Sequence, residues 1–401
     1  MPENKIKVLM VNYEFPPIGG GGGTTTRFLA KYLTRLGVEV NVMTSNPGKE
    51  DIVDHHEGYR MHYVGPIKNK LSGTHIPELA RFALTIIYYS KTVLKRIQPD
   101  LLHCFFTLPS GSCGLYCKKI FNVPYITSAL GADVPGFNIG DWRLNAYHAL
   151  TKPLSKSIWK NSSHIVANSH SLQETCNKFS PESEIEVISN GVDTELFYPD
   201  KNKKFKTNEV QFLFISRLMP QKGIDTLIKA CDVLNKREIT NYKLTIVGEG
   251  HLKGLMFSLI DQYGIREKIN YLGWKDLEEL PEIYRKADIF ILPSVMEGMS
   301  SVVLQAMASG LPIIASRVKG FEEILEENVN GLYAEYNNPG QFANAIEKLI
   351  ESPGLREKMS QKSLEKSKLF SWETIAKQYL ELYEKTVFGK AQNKEKSLVR
   401  N

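Results

Sequence analysis

Cysteine is scarce in this chain of 401 residues: five in all, an odd number, scattered at Cys104, Cys113, Cys117, Cys176 and Cys231. That usage excludes a disulfide framework and predicts reduced thiols in a cytoplasmic protein. Cys113 and Cys117 lie four apart, but no second cysteine or histidine pair completes a zinc site, so they read as the buried face of a helix. Long apolar runs are missing as well. The most apolar stretch, "FALTIIYY" near residue 85, is too short to cross a bilayer. The opening "MPENKIKVLMVNYEF" lacks the apolar core and cleavage site of a secretory signal.

Acid is what the first half lacks most. Residues 58–178 hold 14 Lys/Arg against 5 Asp/Glu, although the whole chain has a formal net charge of only +6. The excess fits either an ordinary solvated surface or an N-terminal half that faces anionic lipid or an anionic acceptor, with aromatic-basic stretches such as "ARFALTIIYYSKTVLKR" as the contact. No nucleic-acid-binding motif accompanies the charge, so nucleic acid is not expected as a partner.

What is present is alternation. "IKVLMV", "VEVNVMTS", "PDLLHCFF", "VPYITSAL", "SHIVANS" and "EIEVISNG" are short β-branched runs separated by amphipathic stretches such as "TTTRFLAKYLTRLG". After the proline- and lysine-bearing "GVDTELFYPDKNKKFKTNE" the alternation restarts with "VQFLFIS", "YKLTIVGEG", "KINYLGW", "ADIFILPS" and "LPIIAS". The fold class is therefore α/β, with two doubly wound parallel sheets. A first domain is expected over 1–195, a second over 206–370, and an amphipathic C-terminal helix over 371–388 from an N-cap at Ser371. Residues from Gly389 read as a frayed polar tail. Two such domains imply a cleft between them, with ligands at the carboxyl ends of the strands.

Three strand-end segments carry candidate chemistry. "YEFPPIGGGGGTTTRF" follows the first strand, and its glycines allow backbone N–H groups to approach an anion. The second strand ends in Met43, Thr44 and Ser45 with no acid to hold a ribose, which excludes the NAD fingerprint. No Gly-Lys-Ser/Thr follows, which excludes a P-loop. "FISRLMPQKGIDTLIKA" sets Arg217 and Lys222 after the first strand of the second half, two cations placed to neutralise a diphosphate leaving group. In "ILPSVMEGMSSVVLQAMASG" Glu297 precedes a helix that begins near Ser300 or Ser301, and the N–H groups around Gly298, Met299 and Ser300 suit phosphate or sugar oxygens. The plain structural alternatives make Glu297 a capping residue and Gln305 a solvated helix position.

The ordered set "PPIGGGGG", "LGADVPG", "VISNGVD", "SRLMPQKG", "IVGEG", "YLGW", "LPSVMEGMSSVVLQAMASGLPIIAS" and "NGLY" resembles the retaining glycosyltransferases of family 4, which have the GT-B fold. The resemblance implies that the second domain binds a UDP-, GDP- or ADP-sugar and the first binds a saccharide or lipid-linked acceptor. By it, Arg217 and Lys222 neutralise the diphosphate and Glu297 accepts from hydroxyls of the donor sugar. Gly20 and Gly21 bring the first-domain loop against phosphates or acceptor, and the C-terminal helix crosses back onto the first domain. No separate cofactor is implied. No Asp-x-Asp occurs in the chain, which agrees with metal-independent neutralisation by the cationic pair.

Two positions depart from that family's pattern. Leu130 stands before the glycine where relatives carry a histidine or an arginine, and Gln305 stands where a glutamate holds the ribose. Asp133, in the same loop as Leu130, is a candidate for sugar or acceptor contact, or a loop-capping aspartate. His103, in "LLHCFF", reads as a packed strand-end residue. Rivals to a transferase are a GT-B sugar-nucleotide epimerase and a non-catalytic nucleotide-sugar-binding protein. The reading also implies a cytoplasmic enzyme of cell-surface polysaccharide or glycolipid synthesis, peripheral on the inner membrane face.

Overall fold

Two compact units divide the chain, one of Met1–Asn190 with Trp372–Asn401, the other of Gly191–Ser371. The computed structural model describes residues 5–18, 20–46, 48, 52–55, 57–65, 76–137 and 142–398. Lys68 and Lys70, part of the basic excess, lie outside the described residues.

The first unit is built on an eight-stranded sheet. Its strands are β1 (Lys7–Val11), β2 (Glu39–Ser45), β3 (Ile52–Asp54), β4 (Arg60–Val64), β5 (Leu101–Phe105), β6 (Tyr125–Ala129), β7 (His164–Ala167) and β8 (Ile185–Val187). The order is β3-β4-β2-β1-β5-β6-β7-β8, parallel throughout except where β3 runs against β4. Val8 to Val11 and all of β5 are buried, as strands covered on both faces must be. Helices α1 (Gly21–Arg35), α2 (Ile76–Ile97), α3 (Gly111–Phe121), α4 (Trp142–Asn161) and α5 (His170–Phe179) make the connections. Cys113 and Cys117 are both buried on α3, as their spacing predicts. Among the described residues no helix is long and apolar enough to cross a membrane.

The second unit holds six parallel strands, β9 (Val210–Ile215), β10 (Tyr242–Val247), β11 (Ile269–Gly273), β12 (Ile289–Leu292), β13 (Ile313–Ser316) and β14 (Gly331–Ala334). They lie in the order β11-β10-β9-β12-β13-β14. Its helices are α6 (Ile224–Lys236), α7 (Lys253–Gln262), α8 (Leu280–Lys286), α9 (Ser301–Ala308), α10 (Lys319–Glu322), α11 (Pro339–Glu351) and α12 (Pro353–Ser367). In α6 the apolar positions Ile224, Leu227, Ile228, Cys231 and Leu234 recur three or four apart and are all buried. The order reverses at β9, whose neighbours are β10 and β12, and a reversal of that kind opens a crevice at the carboxyl ends.

The last helix, α13 (Trp372–Leu398), belongs to the first unit. It runs through Gly389 to Leu398, where the composition had suggested a frayed tail. Trp372, Ile375, Tyr379, Leu382 and Tyr383 repeat at helical spacing and are buried, each contributing about 1.5–3 kcal/mol of apolar burial. Trp372 stacks on Phe28 of α1 with ring centroids 6.1 Å apart. Deeper in, the Tyr383 hydroxyl lies 2.6 Å from Nδ1 of His103, and Nε2 of His103 lies 2.7 Å from Oγ of Ser128. Ser128 in turn meets the Tyr379 hydroxyl at 3.2 Å. His103 is thus packed, as its strand-end position predicts, and it ties the helix to β5 and β6.

Burial pushes His103 down to about 3, and burial together with Arg60 and Arg96 pushes His62 down to about 4. An unfolded histidine binds its proton near pH 6.5. Below that pH the unfolded chain takes up protons that the folded chain refuses, so stability falls on acidification. Each of the two contributes a loss of about 2 kcal/mol between pH 7 and pH 5. Urea unfolding midpoints at those two pH values should differ, and His103→Gln should make the difference smaller. An unchanged difference in that variant removes His103 from the effect.

Candidate active site

The site-bearing residues of the second unit stand where parallel strands end. After β9 the chain passes Ser216 and Arg217, buries Leu218, and makes a tight 3-10 turn over Pro220–Lys222 before α6. This loop is held from both flanks by backbone hydrogen bonds. The Leu218 N–H donates to the Glu249 carbonyl (2.9 Å) in the loop after β10. The Val295 N–H, in the loop after β12, donates to the Gln221 carbonyl (2.9 Å). Gly223 has φ +66, and a Cβ there would stand 2.1 Å from the Pro293 carbonyl oxygen, so only glycine lets the two loops meet.

The contact that results joins residues 75 positions apart. Nζ of Lys222 lies 2.6 Å from Oε1 of Glu297, with the carboxylate side chain 9 % exposed. An ammonium has three donors, so Lys222 can hold Glu297 and still present hydrogens to a second anion. Arg217 is exposed on the same loop, and its guanidinium has no partner among the described residues. The structure therefore brings Lys222 and Glu297 together and leaves Arg217 standing open, five residues before Lys222.

Past Glu297 the chain runs through Gly298 into Met299 and Ser300, both buried, and α9 starts at Ser301, as the sequence predicts. Gln305 is not a solvated helix position: it is 7 % exposed. The Tyr284 hydroxyl of α8 lies 3.0 Å from Oε1 of Gln305 and 3.0 Å from the Val302 carbonyl. One hydroxyl hydrogen serves two acceptors there, so the amide oxygen is only partly engaged. Sequence reasoning missed Tyr284, which reads as one apolar position of a short amphipathic helix. It also missed Gly320 of α10, where a Cβ would fall 2.0 Å from the Glu297 carbonyl oxygen.

In the first unit one expectation is altered, and the bonds of Asp133 agree with the loop-capping reading. The glycine run is not all loop: α1 begins at Gly21, a turn before the expected Thr24, with Gly20 as the residue in front. The Gly20 N–H donates to the Glu14 carboxylate at 3.1 Å, and a Cβ at Gly20 or Gly21 would meet nothing within 4 Å. Asp133 is a loop cap. Its Oδ1 accepts from the N–H groups of Leu130 (3.0 Å) and Gly131 (3.1 Å), and its Oδ2 from the N–H (2.7 Å) and Oγ1 (2.9 Å) of Thr107. A carboxylate has about four lone-pair directions, and these four bonds use them to shape the loop.

Residues 199–366 match the family model "Glycosyl transferases group 1" and residues 19–196 match "Glycosyltransferase Family 4". An uncharacterized glycosyltransferase from Methanocaldococcus jannaschii is 30 % identical over 397 residues, covering 94 % of this chain and 98 % of the relative. Among solved structures, sucrose-phosphate synthase from Thermosynechococcus elongatus superimposes with a TM-score of 0.80 at 23 % identity, covering 95 % of this chain and 99 % of that one. HepE from Anabaena, in complex with UDP and glucose, superimposes with a TM-score of 0.72 at 20 % identity over 94 % of this chain and 99 % of its own. With its two mainly parallel sheets and its matches at both halves, the chain belongs to the GT-B glycosyltransferases of group 1 and family 4.

Proposed function

We propose that this glycosyltransferase acts with retention of anomeric configuration. It would take a sugar from a UDP-, GDP- or ADP-sugar to a saccharide or lipid-linked acceptor in cell-surface polysaccharide or glycolipid synthesis. The observation that carries the reading is the Lys222–Glu297 contact on loops that follow the adjacent strands β9 and β12. Glu297 accepts from hydroxyls of the donor sugar, while Lys222 and Arg217 face the diphosphate. As the bond between the anomeric carbon and the phosphate oxygen breaks, negative charge grows on that oxygen and the two cations stabilise it. The acceptor hydroxyl attacks the oxocarbenium-like carbon from the face the phosphate leaves, and its proton passes to a leaving-group oxygen. Neither a metal nor a separate cofactor takes part. The second unit takes the donor and the first unit the acceptor, in the cytoplasm. UDP in the HepE structure supports a uridine donor as the first to try.

The pure protein is to be incubated with a panel of UDP-, GDP- and ADP-sugars, with and without acceptor extracts. Nucleotide release that requires acceptor, with an α-linked product from an α-linked donor, is the expected result. Tight donor binding without turnover under every condition overturns the transferase reading in favour of a binding protein, and interconversion of the donor without acceptor points to an epimerase.

Gln305 is the ribose contact in this reading, its amide oxygen accepting where a carboxylate would make charge-assisted bonds. Gln305→Glu should keep turnover and bind nucleotide equally well or up to about thirtyfold more tightly, since the new charge is worth about 1–2 kcal/mol and Tyr284 can donate to it. Isothermal titration with the free nucleoside diphosphate measures this. A collapse of turnover in the variant gives Gln305 a role of its own.

A further inference from the structure

Three neighbouring helices of the first unit share a strong excess of basic residues. α3 packs against both α2 and α4, so the three form one layer over the sheet. Arg81, Lys91, Lys95 and Arg96 on α2, Lys118 and Lys119 on α3, and Arg143, Lys152, Lys156 and Lys160 on α4 face a single acid, Glu78. Lys156 is engaged by Glu182 at 3.3 Å, an exposed pair.

The exposed sides of α2 and α4 also carry large apolar side chains at helical spacing. On α2 the exposed positions Arg81, Leu84, Tyr88, Lys91 and Lys95 follow one another three or four residues apart, while Phe82, Ile86, Val93 and Leu94 are buried on the other side. Leu84 is 72 % exposed and Tyr88 78 %. On α4 Trp142, Ala146, Leu150 and Leu154 repeat every four residues along the exposed side, with Trp142 at 71 % and Leu150 at 83 %. Ile120 of α3 is exposed as well. Large apolar side chains left in water along a basic helix face mark a surface that is covered in use.

We propose that the α2–α3–α4 layer docks on an anionic lipid bilayer, with Leu84, Tyr88, Trp142 and Leu150 entering the headgroup region and the lysines and arginines above it. The charge selects the occupant. A second copy of the chain would bring like charge against like. An isolated anion would satisfy the lysines but leave both apolar stripes in water. Anionic headgroups over acyl chains satisfy both at once. The proposal concerns a face of the first unit alone and stands or falls separately from the transfer reaction.

The test is co-sedimentation of the full chain with vesicles rich in phosphatidylglycerol and with vesicles of phosphatidylcholine. Binding only to the first is expected. Arg81→Glu, Lys91→Glu and Lys95→Glu together should weaken it by about a hundredfold or more, and Leu84→Ser with Tyr88→Ser and Leu150→Ser by about tenfold or more. All six positions are exposed, and thermal unfolding of each variant checks that the fold is kept. Charge reversal at Lys201, Lys204 and Lys206, a basic cluster of the second unit, should leave binding unchanged. The proposal is overturned by absence of binding to the anionic vesicles, by equal binding to both, or by an equal loss in the control triple. Nucleotide release with a water-soluble acceptor, measured in the same variants, reports on the reaction independently.

Discussion

Replacing Arg217 and Lys222 together by alanine should lower turnover by about a thousandfold or more, since removing one preorganised donor from a developing oxyanion costs about 10²–10³. The two residues should not behave alike in stability. Arg217 is exposed and unpartnered among the described residues, so Arg217→Ala should leave the unfolding midpoint within the narrow range of ordinary surface changes. Lys222→Ala strips a carboxylate that is 9 % exposed of its counter-charge, which costs about 2–3 kcal/mol. Adding Glu297→Ala to Lys222→Ala should recover part of that loss, because no buried charge is then left alone, while activity stays absent. Arg217→Lys keeps the charge but loses the planar fork, so it should rescue only part of the turnover lost in Arg217→Ala. Steady-state kinetics beside urea unfolding separate the two effects. Full activity in the double variant removes the diphosphate role from both residues.

The four-residue β14, "GLYA", was not legible in the sequence, whereas eleven strands of the two sheets were, because parallel strands buried on both faces are continuous apolar runs, as "KVLMV" and "IFIL" are. The short antiparallel pairing of β3 with β4 was not. Its strands have five residues or fewer, and "RMHYV" carries an arginine and a histidine that only tertiary packing makes a strand. At the site, Arg217, Lys222 and Glu297 could be found because each follows a strand whose end is visible. Their partners could not, since they depend on which loops touch. Lys222 and Glu297 are separated by 75 positions, and two of the four bonds that Asp133 accepts come from Thr107, 26 residues earlier. Gln305 showed itself as an amide in place of an acid, but its burial comes from α8, through a tyrosine that reads as an ordinary amphipathic position.

Gly320→Ala is the substitution that tests whether this loop contact, rather than the residue types alone, makes the site. Gly320 lies in α10, and its missing side chain is what allows the backbone of Glu297 and Gly298 to rest on that helix. A Cβ would stand 2.0 Å from the Glu297 oxygen and 2.6 Å from the Gly298 oxygen, where carbon and oxygen need more than 3 Å. Either α10 or the loop must shift by about 1 Å, and α10 is pinned by Phe321, which is wholly buried in the core of the unit. The loop is therefore the part that yields, and it carries Glu297 away from Lys222. A displacement of about 1 Å at a substrate-positioning group costs about a hundredfold, and overpacking at one methyl costs about 1–3 kcal/mol. The variant should stay folded, bind free nucleoside diphosphate through Arg217 and Lys222 with little change, and lose about a hundredfold in kcat/KM for the nucleotide sugar. That split between nucleotide affinity and sugar transfer is the diagnostic reading, because a general loss of fold would remove both. Undiminished kcat/KM would mean that the position of Glu297 against Lys222 does not control the reaction.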